Sequence, residues 1–330
     1  MKKTVVALVL SFILLPLFTT NGHSTVFQIT DNTTNDYRPS LYGGTIAWHN
    51  SGIYYWDGNS STQITDNGTY PSLWNNTISW SGHDGNDEEI YYWNGSSVIQ
   101  VTNNDTYDYM PSLYDGNIVW YGWDGTEDIE ISLWDGSAIS SVTNNVNQDY
   151  NPSLYNGTVA WAETIGYNPS EILYWDGSST IQVSNNTGNN HNPSLYNGAI
   201  AWEGNYGNPD GEIYYWDGST TTQITNNNTV DRAPSLYGDA IAWYGWDGTD
   251  YEIYWWKDGV TLQLTDNTTD DKYPTLYNGN IAWYGWDGND YEIYYWDGDK
   301  EAAPVPEPAT ILLVGSGLIT LLGLVRKRHL

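Results

Sequence analysis

Residues Pro274 to Gly298 read PTLYNGNIAWYGWDGNDYEIYYWDG, and variants of this stretch occur seven times along the chain. Anchored on the tetrad Pro-Ser/Thr-Leu-aromatic, the copies begin at Pro39, Pro71, Pro111, Pro152, Pro193, Pro234 and Pro274, at spacings of 32, 40, 41, 41, 41 and 40 residues. A period near 40 built from short strand-like runs is the pattern of propeller blades. Helical repeats of similar length would place apolar residues at i, i+3, i+4 and i+7. These runs are instead short, aromatic and β-branched, and punctuated by Asn-Gly and Asp-Gly. The chain is therefore expected to be all-β.

Each copy divides into four strands. The first starts at the tetrad and the second is Ile-Ala-Trp, as at Ile281 to Trp283. The pairs between them, such as Asn156-Gly157 and Gly238-Asp239, suit a two-residue hairpin with positive φ at both positions. The third strand is Glu-Ile-Tyr-Tyr-Trp, as at Glu212 to Trp216, and the fourth is Gln-Ile-Thr, as at Gln223 to Thr225. One such fourth strand, within Val26 to Thr30, precedes the first tetrad, and none follows Gly298. Both defects are cured if the N-terminal strand completes the last repeat. The expectation is a seven-bladed β-propeller of four-stranded blades over residues 25–298, closed by its N-terminal strand, because an open array would expose two sheet edges.

Flanking segments have other compositions. Residues 1–24 carry Lys2 and Lys3, an apolar run and a Gly22-His23-Ser24 end, the pattern of a secretory signal peptide. Residues 299–308 form a proline-rich linker that cannot continue a sheet, and residues 309–330 hold 17 mostly apolar residues ending in Arg326-Lys327-Arg328. At 1.5 Å per residue a helix over that run spans about 26 Å, close to a hydrocarbon core of roughly 30 Å. A C-terminal transmembrane helix is expected, with its basic tail in the cytoplasm and the repeats outside.

No cysteine is present among the 330 residues, which excludes disulfides and thiol chemistry. The formal charge is −30, and within residues 25–298 four bases face 37 acids, a net of −33. Such a surface repels nucleic acid and anionic glycans and attracts cations or basic proteins.

Two resemblances follow from these residues. Val305-Pro306-Glu307-Pro308-Ala309-Thr310, an apolar helix and a basic end resemble the PEP-CTERM sorting signal of bacterial exported proteins. The resemblance implies recognition by an exosortase-type enzyme acting near Pro306, Glu307 and Pro308, with delivery from a membrane-anchored state to the cell surface or extracellular matrix. The repeats resemble TolB-like, WD40-related β-propeller repeats through Leu264-Thr265, Asp271, Pro274, Asn278-Gly279, Ile281-Ala282-Trp283, Asp287-Gly288 and Glu292-Ile293-Tyr294. TolB itself resembles a six-bladed protein with a further N-terminal domain, so its transport role does not carry over.

Fourteen tryptophans recur in the second and third strands and are expected to pack between blades. Trp123, Trp246 and Trp286 occur in only three copies, each within Tyr-Gly-Trp-Asp-Gly. They are candidates for sugar stacking or for packing. The acidic loops that follow hold Asp84, Asp87 and Glu89, then Asp247, Asp250 and Glu252, then Asp287, Asp290 and Glu292. Asp36, Asp108, Asp149, Asp231 and Asp271 are expected on the same rim. Hard cations such as Ca²⁺ take carboxylate ligands of this kind, while Asp-Gly is also plain turn chemistry. Histidines His49, His83 and His191 share no motif, and no Gly-x-Ser-x-Gly elbow is present. The residues fit a non-catalytic binding or scaffold module for a surface polysaccharide or a basic protein. The alternatives are an extracellular lyase or glycosidase using rim carboxylates, and a structural surface-coat protein.

Overall fold

The computed structural model describes residues 25–125, 128–166, 168–205 and 210–298. The expected signal peptide, the expected linker with Pro306, Glu307 and Pro308, and the expected transmembrane helix lie outside them. All 28 assigned elements are strands, and among the described residues no helix is long and apolar enough to cross a membrane.

The strands fall into groups of four, each an antiparallel meander. In the sixth copy the order is Asp231–Tyr237, Ala240–Trp246, Tyr251–Lys257 and Val260–Gln263. Five sheets have four strands. The third and fourth copies share an eight-stranded sheet through one parallel pairing, Ile129 with Gln148. Among the described residues no sheet closes on itself. The last copy takes its fourth strand from the N-terminus: Thr25–Gln28 pairs antiparallel with Tyr291–Asp297, Thr25 opposite Asp297 and Gln28 opposite Tyr294.

Two details depart from the sequence reading. Apart from Ser61–Thr65 in the first copy, fourth strands stop at Gln or its equivalent rather than running through Ile-Thr, because the next two amides converge on one carbonyl. Ile224 and Thr225 both donate to Ile213 O, at 2.8 and 3.3 Å. Among the hairpin pairs, Gly238-Asp239 has positive φ only at Gly238 (63°), whereas Asn156 and Gly157 both have it. That single glycine in the first position is the requirement of a II′ turn.

First strands begin up to four residues before the tetrad proline, and each carries a bulge there. In the last copy the register shifts between Lys272 and Thr275. Proline cannot donate to the ladder, and the bulge accommodates it. The residue before each proline is forced into the left-handed region: Arg38, Tyr70, Met110, Asn151, Asn192, Ala233 and Tyr273 have φ between 48° and 54°.

The tetrad links neighbouring copies. Its Ser or Thr hydroxyl accepts the Leu amide of the next copy, from Leu73 on Ser40 at 2.9 Å through Leu276 on Ser235 at 2.9 Å. Leu41 returns to Thr275 Oγ1 at 3.4 Å. Its aromatic residues form a matching circle in which Tyr42, Trp74, Tyr114, Tyr155, Tyr196, Tyr237 and Tyr277 each meet the next with centroids 4.0 to 4.7 Å apart, and Tyr277 meets Tyr42 at 4.5 Å. The core lies between the sheets. Leu41, Ile46 and Trp48 of the first copy pack on Ala282, Tyr284 and Ile293 of the last.

The tryptophan columns differ in burial. Second-strand residues Trp48, Trp80, Trp120, Trp161, Trp202, Trp243 and Trp283 are fully buried. Third-strand residues are half-buried, apart from buried Trp216. A fully buried indole of about 200 Å² contributes up to about 5 kcal/mol of gross burial.

Candidate functional site

The recurring polar residues form a buried network. Trp283 Nε1 donates to Asp271 Oδ1 at 2.9 Å, and Asp271 Oδ2 accepts Asn267 Nδ2 at 2.7 Å. The Asn267 amide donates to Glu252 Oε1 at 2.6 Å. Thr265 Oγ1 accepts the Ile253 amide at 2.8 Å. Equivalent indole contacts join Trp48 to Asp36, Trp120 to Asp108, Trp161 to Asp149 and Trp243 to Asp231. The fifth copy substitutes Asn190 for the aspartate. In the second copy Gly68 stands there, and a Cβ would come within 2.6 Å of Trp80.

This corrects the rim assignment for Asp36, Asp108, Asp149, Asp231 and Asp271. They are at most 5% exposed and hold indoles rather than facing solvent. Burial pushes Asp108 and Asp231 up to about 6, and Asp149 and Asp271 up to about 7. Glu89 and Glu252 belong to the same network through one oxygen each, and Glu292 through both.

The acidic loops do gather carboxylates. Asp84, Asp87 and Glu89 bring ligand atoms within 4.8 Å of one another. Asp247 and Glu252 are joined by Asp266, and Asp287 and Glu292 by Asp31. Asp31 and Asp266 escaped the sequence reading because they follow the fourth strand, and only the meander fold returns that segment to the loop. The first aspartate of each loop makes the turn: Asp247 Oδ1 accepts the amides of Thr249 and Asp250 at 2.7 and 3.2 Å. Several other carboxylate oxygens are buried without a protein partner. They are Asp87 Oδ1, Glu89 Oε2, Glu130 Oε2, Glu212 Oε2, Glu252 Oε2, Asp290 Oδ2 and both oxygens of Asp250. Burial, followed by Asp247, Asp270 and Asp266, pushes the Asp250 carboxyl up.

The three rim tryptophans are not brought together. Trp246 and Trp286 are half-buried, each edge-on to a tyrosine, Tyr251 and Tyr291, with centroids 5.2 Å apart. Trp123 is 46% exposed and stands three copies away from Trp246. Trp286 borders a cleft of about 300 Å³ with Asn267, Thr269, Asp287 and Tyr294.

At the centre, residues 38–40 and their six counterparts line a cavity of about 310 Å³. The left-handed residues contribute Arg38, Tyr70, Met110, Asn151, Asn192, Ala233 and Tyr273 to it. The Arg38 guanidinium carbon lies 4.7 Å from the Tyr70 centroid and 4.2 Å from that of Tyr273. Beside it His49 packs on Tyr37 and Tyr70, and burial followed by Arg38 pushes its imidazole down to about 4.

Ser170 lies 3.3 Å from His191 Nδ1. Its hydroxyl is committed to the Asn190 carbonyl at 2.9 Å and the residue is 2% exposed, so it is not placed as a nucleophile.

No curated protein matches the chain in sequence. Solved structures do match in shape. The β-propeller domain of the Trilobed protease from Pyrococcus furiosus superposes with a TM-score of 0.67 at 11% identity, covering 81% of this chain and 97% of that one. A puromycin-hydrolyzing peptidase from Mycobacterium tuberculosis gives 0.64 at 12%, covering 83% of this chain and 54% of the peptidase, so the match spans about half of that enzyme. The computationally designed Ika8 protein gives 0.53 at 11%, covering 81% and 98%. These likenesses establish the β-propeller fold and nothing of activity. Residues 304–328 match the PEP-CTERM protein-sorting motif, so this propeller chain carries the C-terminal signal of exported proteins that are sorted by an exosortase.

Proposed function

We propose that the chain is a closed seven-bladed propeller that acts, after exosortase sorting to the cell surface or extracellular matrix, as a non-catalytic binding or scaffold module. The observation that carries this reading is the fate of the repeated polar residues. Most copies commit these residues to holding the blade, as Asp271, Asn267, Thr265 and one oxygen of Glu252 do, with Asn190 or Gly68 replacing the aspartate in two copies. Only side chains that differ between copies remain to contact a ligand, and they sit in the rim loops and the central cavity. A glycan array probed with the full-length protein, followed by a turnover assay on each bound glycan, tests the reading. Saturable binding without turnover is expected, whereas turnover abolished by rim carboxylate substitution would replace it with a glycosidase or lyase. Abundant protein with no saturable ligand would favour the surface-coat alternative.

A second reading, Ca²⁺ binding at the rim, is supported by the partnerless buried oxygens of Asp87, Glu89, Asp250 and Glu252. A buried carboxylate without compensation costs several kcal/mol, and a hard cation offsets that cost. Asp84, Asp87 and Glu89 would hold one ion. Asp247, Glu252 and Asp266 would hold a second, and Asp287, Glu292 and Asp31 a third.

A further inference from the structure

The four bases of the propeller are not used alike. Arg232 lies 3.6 Å from Glu203, Lys257 lies 3.3 Å from Asp239, and Lys272 lies 2.6 Å from Asp270. Among the described residues no carboxylate pairs with Arg38. In a domain with 37 acids, the one unpaired guanidinium stands in the central cavity, held between tyrosine rings from the copies on either side.

The position it occupies is the variable one. Each tetrad repeats Pro, Ser or Thr, Leu and an aromatic residue, while the residue before it changes among Arg, Tyr, Met, Asn and Ala. All seven copies pay for a left-handed conformation there, at about 1 kcal/mol or more each for a non-glycine residue. That conformation is part of the proline bulge and brings the variable side chain to the cavity. The scaffold is thus constant and the lining is particular to this chain.

We propose that the central cavity binds a small monocarboxylate of sugar-acid size, anchored by the guanidinium of Arg38. Arginine presents a planar fork of donors that matches a carboxylate in bidentate geometry. Tyr70 and Tyr273 hold the guanidinium between their rings, and Asn151 and Asn192, joined by an Asn151 Nδ2 to Asn192 Oδ1 hydrogen bond of 2.9 Å, keep further polar capacity for ligand hydroxyls. A volume of about 310 Å³ accommodates a single sugar acid. Neighbouring groups leave the anchor available. Glu203 is engaged by Arg232, Asn192 and the Ala233 amide, and His49 is neutral near pH 7, so it neither competes for the anion nor adds charge. The net charge of the domain opposes polyanions most strongly. At a Debye length of about 8 Å its distant carboxylates are screened from the cavity, which leaves a monoanion favoured.

The inference rests on the binding reading and adds the ligand class and its anchor. Its test is calorimetric titration of the full-length protein in neutral detergent with sodium glucuronate, glucuronamide, glucose and benzoate, at low ionic strength. Glucuronate is expected to saturate and to bind about tenfold or more tightly than neutral glucuronamide and glucose. Arg38→Gln should abolish the difference, and Arg38→Lys should weaken glucuronate binding because a point charge replaces the fork. Equal affinity for glucuronate and glucuronamide would overturn the proposal, and that comparison needs only wild-type protein should the variants not fold. Benzoate binding as tightly as glucuronate would overturn the sugar-acid assignment. A neutral glycan bound equally by wild type and Arg38→Gln, with no glucuronate binding, would sink this inference while leaving the binding reading standing.

Discussion

Thr30 Oγ1 accepts the backbone amide of Ile293 at 2.8 Å, joining residues 263 positions apart. The same contact is made locally in other copies, for instance by Thr102 with Ile90 at 2.8 Å. The N-terminal strand therefore satisfies the last copy in the way a consecutive strand satisfies the others.

Thr30→Val should cost about 1 to 3 kcal/mol, because it leaves a buried amide unpaired. Thr102→Val should cost about the same, which chemical denaturation would reveal. A Thr30→Val variant as stable as wild type, beside a destabilised Thr102→Val, would mean that the N-terminal strand is not integral to the fold.

Asp271→Ala should destabilise by about 1 to 3 kcal/mol, since it strips both the Trp283 indole and the Asn267 amide of their acceptor. Asp271→Asn should cost less, as the fifth copy already uses Asn190 in this place. Urea midpoints of the two variants make the comparison. An Asn variant less stable than the Ala variant would contradict the assigned network.

Stability should fall as pH rises from about 5 to 8. Asp108, Asp231, Asp149 and Asp271 have folded pKa values raised by burial to between about 6 and about 7, so the native state holds their protons where the unfolded chain has released them. The stability they contribute is complete below the unfolded carboxylate pKa and is lost as pH climbs through the folded values. The opposite sign holds for the turn aspartates Asp57, Asp135, Asp176 and Asp217, whose carboxylates accept turn amides and are held down. Their contribution is lost only as pH falls below about 4. Thermal melts across this range should peak near pH 5, and a melting temperature that rises steadily to pH 8 would refute the burial account.

Calcium at about one hundred times its Kd should stabilise the fold by about 2.7 kcal/mol per site, and chelator should reverse the gain. Glu252→Gln should remove one of three sites in calorimetry, with the other two unaffected. A Tm unmoved by calcium and chelator alike would leave the acidic loops as turns.

How much of this was legible in the sequence follows from what repeats. The strand division, the hairpin glycines and the partner for the N-terminal strand follow from alternation, turn chemistry and counting. Asp271 and its equivalents were misplaced because a recurring aspartate in a loop reads as solvent-facing. Nothing local shows that the indole twelve residues later turns back to it. Arg38 was silent for another reason. Its meaning depends on the absence of a carboxylate partner and on rings from Tyr70 and Tyr273, residues 32 and 235 positions away that only the circular arrangement brings near.

Arg38 stands 4.2 Å from the Tyr273 centroid, and the proposed closure is the claim on which the central cavity depends. The chain contains no cysteine, which makes a direct measurement clean. Thr25 and Asp297 face each other in the antiparallel pairing, and the double variant Thr25→Cys, Asp297→Cys places two thiols within reach of one bond. After mild oxidation, mass spectrometry of the purified monomer should find one intramolecular disulfide linking peptides from the two ends of the propeller. Two free thiols, or disulfides only between chains, would contradict a propeller closed by its N-terminal strand.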